Sequence, residues 1–171
     1  DVCSSDLDLD DAPATDSQPF GKMFEALDDL KPHEIYVASG SSLAYALWGG
    51  LMTTRAKKLG AAGAVLHGYH RDTQEILQSQ WPVFSMGSYA QDQAPRGKVV
   101  DWRVPMDIGG VKVQSGDLLF GDRDGVVVVP REVESEVIRR ALEKVQTESA
   151  VRQAILAGMS TVEAFERFGV M

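Results

Sequence analysis

Arg71 and Asp72 stand side by side in the run HGYHRDTQEIL, the pair in this chain best suited to hold a small acid. A guanidinium fork grips a planar carboxylate with two hydrogen bonds, and an aspartate is a hard oxygen ligand for Mg2+ or Mn2+. Glu75 follows three residues on and faces the same way if a helix begins at Thr73. Twenty-one positions before Arg71 lies Gly50, in the run Gly49-Gly50-Leu51-Met52 that opens a predicted helix. The unpaired N–H groups and the dipole of a helix start favour an anion such as a carboxylate. Adjacent glycines let such a ligand come close to the backbone. Each motif also has a plainer reading: Gly-Gly breaks a pair of helices, and Arg-Asp is a surface ion pair whose Asp caps the next helix.

Other candidates lead elsewhere. His67 and His70 bracket the same loop, but two His without a third His or Cys nearby read as structural. Asp117, Asp122 and Asp124 crowd into SGDLLFGDRDGVVVVP, which lacks the Gly and terminal Glu of a calcium loop. Asp-Gly between strands is first a turn signal, so these acids read as architecture. No Gly-x-Ser-x-Gly elbow, phosphate loop or dinucleotide glycine fingerprint occurs. Cys3 is the single cysteine, which excludes an internal disulfide and a zinc ribbon.

The elements that must position these residues follow from apolar spacing and turn residues. A helix is predicted over 22–30, with Met23, Phe24, Leu27 and Leu30 on one face, and a buried strand over 34–38. Ser39-Gly40-Ser41-Ser42 supplies a turn and a cap for a helix over 43–48, and Gly49-Gly50 breaks it. A second helix over 51–59 stops at Gly60, a strand follows over 63–66, and a polar loop over 68–72 leads into a short helix over 73–78. Strands are expected over 82–86, 98–104, 111–113, 118–120 and 126–129, separated by glycine turns. After Pro130 comes a long amphipathic helix over 132–156, and Ser160-x-x-Glu163 is a capping box opening a last helix to Phe168. The order predicts an α/β domain with a mixed sheet.

The 171 residues suffice for one domain with a core, and 44% hydrophobic against 25% charged is an ordinary globular composition. The formal charge of −8 is unevenly placed: residues 1–30 hold nine acids against one base, and the remainder holds sixteen of each. A neutral body without a basic stripe argues against nucleic acid as a partner. The acidic stretch over 1–18 reads as a flexible or even non-native lead-in, and because the chain does not begin with Met an internal fragment is expected. No apolar run approaches the roughly 18 residues of a membrane helix, so no membrane partner is expected. No signal-peptide pattern is visible, and a cytoplasmic setting is the expectation.

Taken together, WGGLMTTRAKKLGAAGAVLHGYHRD (residues 48–72), VPMDIGGVKVQSGDLLFGDRDGVVVVP (104–130) and the glycine-stopped C-terminal helices resemble the RraA-like superfamily, over about residues 30–171. That group contains 4-hydroxy-4-methyl-2-oxoglutarate aldolase, an oxaloacetate decarboxylase, and the regulator of ribonuclease activity A. The resemblance implies a mixed-sheet swivelling β/β/α-type domain with C-terminal helices, occupying 19–171 as a single, N-terminally truncated domain. It implies a divalent-metal-dependent lyase, a class II pyruvate aldolase that cleaves 4-hydroxy-4-methyl-2-oxoglutarate-type 2-keto acids to pyruvate and decarboxylates oxaloacetate. Carried over, Asp72 binds Mg2+ or Mn2+, and Arg71 holds the 2-keto oxygen and the enolate. Gly49, Gly50 and the amides of Leu51 and Met52 receive the pyruvyl carboxylate, and Glu75 stands behind the metal ligand. Both reactions pass through a pyruvate enolate, whose charge a metal and an Arg stabilise.

The resemblance also implies a homotrimer or a dimer of trimers, and Trp48, Trp81 and Trp102 offer apolar surface for such an interface. Two departures stand out. Relatives commonly carry Asp or Glu at position 50, which orients metal-bound water, and Asp-Gly where His67-Gly68 stands here. An acid restored at 50 is therefore expected to raise decarboxylation. The alternative is a non-catalytic regulator that docks on a partner enzyme; a metal carboxylate retained beside an Arg favours the lyase.

Overall fold

The segment IYVAS is apolar until its last residue, so as a strand it needs cover on both faces. The computed structural model describes residues 2–8, 19–40, 45–94 and 96–170. There β2 (Ile35–Ser39) lies between β1 (Val2–Asp8) and β4 (Gly63–Leu66), both parallel to it. Two further strands, β6 (Val83–Phe84) beside β4 and β8 (Lys98–Trp102) antiparallel to β1, complete a five-stranded sheet in the order β6-β4-β2-β1-β8. Tyr36 and Ala38 join the main core with Leu27 and Leu30 beside α1 (Met23–Asp28) and Ala56 of α2 (Gly50–Leu59). Val37, on the opposite face, packs on Met106 and Val113 of a hairpin, β9 (Met106–Ile108) and β10 (Val111–Val113). A second hairpin pairs β11 (Leu118–Asp122) with β12 (Gly125–Val129).

A separate, smaller parallel sheet carries the candidate residues. It contains β3 (Ala46–Trp48), β5 (Tyr69–His70) and β7 (Gly87–Ser88), in that order. The helix expected over 43–48 is therefore a strand where it is described; Ser41, Ser42, Leu43 and Ala44 lie outside the described residues. ALW is a good helix sequence, but pairing overrides it: Ala46 N–H donates to Gln91 O at 2.8 Å, and Ala46 and Trp48 align with Tyr69 and His70. Two residues of the expected polar loop likewise become β5.

Composition predicts a flexible lead-in over residues 1–18. Of these, Val2–Asp8 form the strand between β2 and β8, where the backbone groups of both neighbours require partners, and residues 9–18 lie outside the described residues. Trp48 and Trp81, expected to serve an interface between subunits, are buried at 1% and 8% exposure and stack at 5.5 Å, so they belong to the core and give a trimer no support.

The chain groups into two compact units, Asp1–Pro130 and Arg131–Met171. In the second, a 3-10 turn (Arg131–Val133) leads into α4 (Glu134–Leu156), which carries surface ion pairs such as Arg139 with Glu136 and Glu143. After Gly158, α5 (Thr161–Phe168) opens with the expected capping box: Ser160 Oγ accepts from Glu163 N–H while the Glu163 carboxylate accepts from Ser160 N–H. Among the described residues no helix is long and apolar enough to cross a membrane.

Candidate active site

Because β3 and β5 are parallel neighbours, their C-terminal ends lie side by side, the edge at which open α/β sheets place ligands. Trp48 at the end of β3 runs into Gly49 and the start of α2, and His70 at the end of β5 runs into Arg71, Asp72 and α3 (Thr73–Ser79). Arg71 N–H donates to Trp48 O at 2.9 Å, tying the two exits together. Residues far apart in sequence thus become neighbours through the register of two short strands.

Asp72 is held in the left-handed region, φ 58° and ψ 36°, which aspartate tolerates better than most residues. It stands at the cap position of α3, yet its side chain caps nothing there. Instead Oδ2 accepts the N–H of Gly50, the first residue of α2, at 2.9 Å. That charge-assisted bond satisfies one orphan donor of α2 and fixes the carboxylate across the gap between two helix starts. The next two amides of that turn, of Leu51 and Met52, make no hydrogen bond among the described residues. From below, Thr53 Oγ1 accepts the Trp48 indole N–H at 2.7 Å and donates to Gly49 O at 3.1 Å, so the glycine peptide is braced by the core.

Arg71 lies 3.9 Å from Asp72 through Nε and 3.3 Å from Asp92 Oδ2 through Nη1. Sequence reading missed Asp92: it sits in the polar stretch SYAQDQ without a motif, and only its bridge to Ala46 brings it to the site. Next to it, Gln93 is buried at 3% exposure, and its Nε2 has no hydrogen-bond acceptor among the described residues. Gly49, Met52, Arg71, Asp72, Asp92 and Gln93 all border a cavity of about 250 Å³, whose remaining walls include Trp48 and Phe20. Space for a small organic acid therefore adjoins the Arg-Asp pair.

The space beside each glycine is filled by a neighbouring side chain. A Cβ on Gly49 would fall 2.8 Å from Asp72 Oδ2 and 3.3 Å from Arg71 Nε. One on Gly50 would fall within 2.6 Å of both oxygens of the Glu75 carboxylate. An acid placed at position 50 would require the exposed Glu75 carboxylate to swing aside.

The other candidates resolve into structure. His70 uses both ring nitrogens, with Ser85 Oγ at 2.7 Å and Thr73 Oγ1 at 3.0 Å, and burial pushes its pKa down despite a hydrogen bond involving Gly87. His67 Nδ1 lies 3.4 Å from Ser39 Oγ. Asp117 Oδ2 accepts Gln114 N–H, and Asp122 Oδ1 accepts Asp124 N–H, so these acids close their own turns. A larger hollow of about 610 Å³ lies by Ser39, Asp107 and Asp117, but Asp107 Oδ1 is taken by Gly110 N–H and Ser39 Oγ donates to Asp107 O.

No three His, Cys, Asp or Glu side chains converge to cage a metal among the described residues. A cation that keeps most of its water needs only one or two carboxylates. Asp72 fits that role: Oδ2 is fixed by Gly50, and Oδ1 accepts no hydrogen bond among the described residues.

Residues 13–128 match the family described as RraA-like, Aldolase/RraA. A Thermus thermophilus protein named 4-hydroxy-4-methyl-2-oxoglutarate aldolase is 36% identical over 97 residues, 56% of this chain and 58% of that protein. Protein DlpA of Legionella pneumophila is 29% identical over 143 residues, 83% of this chain and 23% of that protein. The crystal structure of an uncharacterised protein from Pseudomonas syringae pv. tomato superposes with a TM-score of 0.82 at 28% identity, over 95% of this chain and 75% of that one. The chain thus spans from about a quarter to three-fifths of the length of these two curated relatives.

Proposed function

The chain belongs to the RraA-like family, and we propose that it works there as a divalent-metal-dependent lyase that releases pyruvate from 2-keto acids of the 4-hydroxy-4-methyl-2-oxoglutarate type and decarboxylates oxaloacetate. The observation that carries this reading is the Arg71-Asp72 pair folded over the open amides of α2, with Asp72 Oδ2 on Gly50 N–H at 2.9 Å. Asp72 would hold Mg2+ or Mn2+, which when bound supplies Lewis-acid polarisation of the substrate's keto oxygen. The amides of Leu51 and Met52 receive the carboxylate next to that oxygen, at the positive end of the helix dipole. Asp92 steadies Arg71 through Nη1, leaving Nη2 without a partner among the described residues and available to the keto oxygen.

In this arrangement the carbon–carbon bond beyond the keto group breaks and its electron pair passes into a pyruvate enolate, while the far fragment leaves as CO2 from oxaloacetate or, giving up its 4-hydroxyl proton to water, as a second keto acid. Arg71 stabilises the charge that gathers on the enolate oxygen, and the α2 amides keep the carboxylate from turning away. Protonation at carbon then yields pyruvate. The test is pyruvate release from oxaloacetate with Mg2+, with and without EDTA, for the parent and for Asp72→Ala. Turnover that EDTA and the substitution both abolish, with an unchanged thermal melt, is expected. Absence of turnover in the folded, Mg2+-saturated parent would overturn the lyase reading and leave the docking regulator.

A further inference from the structure

Gln93 has a fixed backbone and an unused side chain. Its N–H donates to Asp92 Oδ1 at 2.7 Å, and its carbonyl accepts the N–H groups of Arg96 at 2.6 Å and Gly97 at 3.0 Å. The residue is 3% exposed, yet neither end of its side-chain amide makes a hydrogen bond among the described residues, and Nε2 is a buried donor without an acceptor. Such a donor has given up its hydration and gained nothing, so a side chain kept there for stability alone would be apolar. Its surroundings are of that kind: Phe20, Met23, Leu47 and Trp48 border the same cavity as Gln93 and Arg71. With neither end engaged, the soft terminal torsion lets the amide turn its N–H groups towards that cavity.

The parallel bridge between Ala46 and Asp92 sets the Gln93 backbone level with Leu47, two residues or about 7 Å before Gly49 along the strand. The α2 amides and Gln93 therefore border the cavity at places that a short acid can span. Resting on the lyase reading above, the near half of the substrate is already provided for, its carboxylate by the Leu51 and Met52 amides and its keto oxygen by Arg71. We propose that Gln93 is the specificity-determining contact to the half that leaves: its amide N–H donates to the oxygen on C4, the hydroxyl oxygen of an aldol substrate or a carboxylate oxygen of oxaloacetate. An apolar cavity with a few placed polar groups is the usual form of a small-molecule site. A site that hydrogen-bonds one substrate oxygen rejects the analogue lacking it, because its own buried group is then left unpaired.

The experiment compares the parent with Gln93→Met and Gln93→Leu, which remove the amide and keep an apolar side chain of similar size. Three quantities are read: the melting midpoint without ligand, kcat/KM for oxaloacetate at saturating Mg2+, and calorimetric binding of oxalate with Mg2+ present. Oxalate matches a pyruvate enolate in shape and charge and has no C4. Both variants should melt at or above the parent's midpoint, since an unpaired buried donor has been removed. Their kcat/KM for oxaloacetate should fall about 10–100-fold, while oxalate binds as it does to the parent. A midpoint lowered in both variants would show that the amide serves the fold, for instance through a bound water, and would overturn the assignment. So would an oxalate affinity that falls as far as kcat/KM, or a kcat/KM that does not fall. A folded parent that neither turns over oxaloacetate nor binds oxalate would instead overturn the lyase reading, so the two failures are distinguishable.

Discussion

Gly49→Ala separates the geometry of the site from the stability of the fold. At φ −152° and ψ −175° Gly49 is in extended backbone that any residue adopts, so an alanine pays nothing in conformation. The added Cβ would sit 2.8 Å from Asp72 Oδ2, where ordinary contact starts at 3.4 Å, so the carboxylate must retreat by about half an ångström. Its 2.9 Å bond to Gly50 N–H then lengthens past the useful range for a hydrogen bond, and Arg71 Nε, at 3.3 Å, is nudged with it. Asp72 is 44% exposed, so water screens the loss, which should cost about 1 kcal/mol of stability or less. Catalysis is more sensitive, since a misplacement of about 1 Å can cost about 10²-fold. The expectation is a fall of roughly 10–100-fold in kcat/KM for oxaloacetate, read by coupled pyruvate release at saturating Mg2+, with a melting midpoint close to the parent's. A folded alanine variant with parental kcat/KM would refute the claim that the Gly50–Asp72 bond sets the site.

Two further outcomes follow from other side chains. Arg71→Lys should lose most of kcat/KM even though the charge is kept, because a single ammonium cannot face both Asp92 and the keto acid; parental steady-state kinetics would reduce Arg71 to a surface residue. Arg103 grips Glu34 through Nη1 at 3.0 Å and Nη2 at 2.8 Å, and reaches Asp29 through Nε. Hydrogen bonds from Arg103 and then Lys31 hold Asp29 at about 2, against 3.8 ordinarily. Burial alone would raise the pKa of Glu34, but its bonds from Arg103 and the Lys31 amide outweigh that and lower it. Both carboxylates being depressed, their stabilisation is complete above the ordinary carboxylate range and drains away as pH falls from about 4 towards 2. Arg103→Ala, which leaves the buried Glu34 without its fork, should cost about 2 kcal/mol at pH 7. The difference in melting midpoint should shrink in acid; a difference as large at pH 3 as at pH 7 would count against it.

Much of the site could be read from the chain itself because its parts are local. Gly50, Arg71, Asp72 and Glu75 all lie in or just before the first turn of a helix, and helix starts announce themselves through glycine, acid and apolar spacing. Local propensity in LAYALW favours a helix where β3 forms, and only its partners at Tyr69 and Gln91 decide otherwise. Asp92 had no local signal at all, since its place beside Arg71 depends on a bridge to Ala46, 46 residues earlier. The strand over Val2–Asp8 is hidden for a related reason: it sits in an acidic, serine-rich stretch without a sustained period, while its pairing partners lie at Ile35 and Trp102. Composition reports what a segment prefers alone, and a central strand is chosen by its neighbours.

Trp48 occupies an unusual position for a core residue, one step before Gly49. Its ring lies 5.0 Å from Tyr36 and 5.5 Å from Trp81, the two indoles tilted by only 10°. Parallel indoles at that spacing share their excited states, so their near-ultraviolet circular dichroism depends on the placement of both rings. The indole N–H is also bound to Thr53 Oγ1, which in turn holds the Gly49 carbonyl. An anion settling on the Leu51 and Met52 amides pulls on that same peptide turn. If the start of α2 takes the carboxylate as proposed, the near-ultraviolet circular dichroism of this indole pair is expected to change on binding, with no label and no turnover.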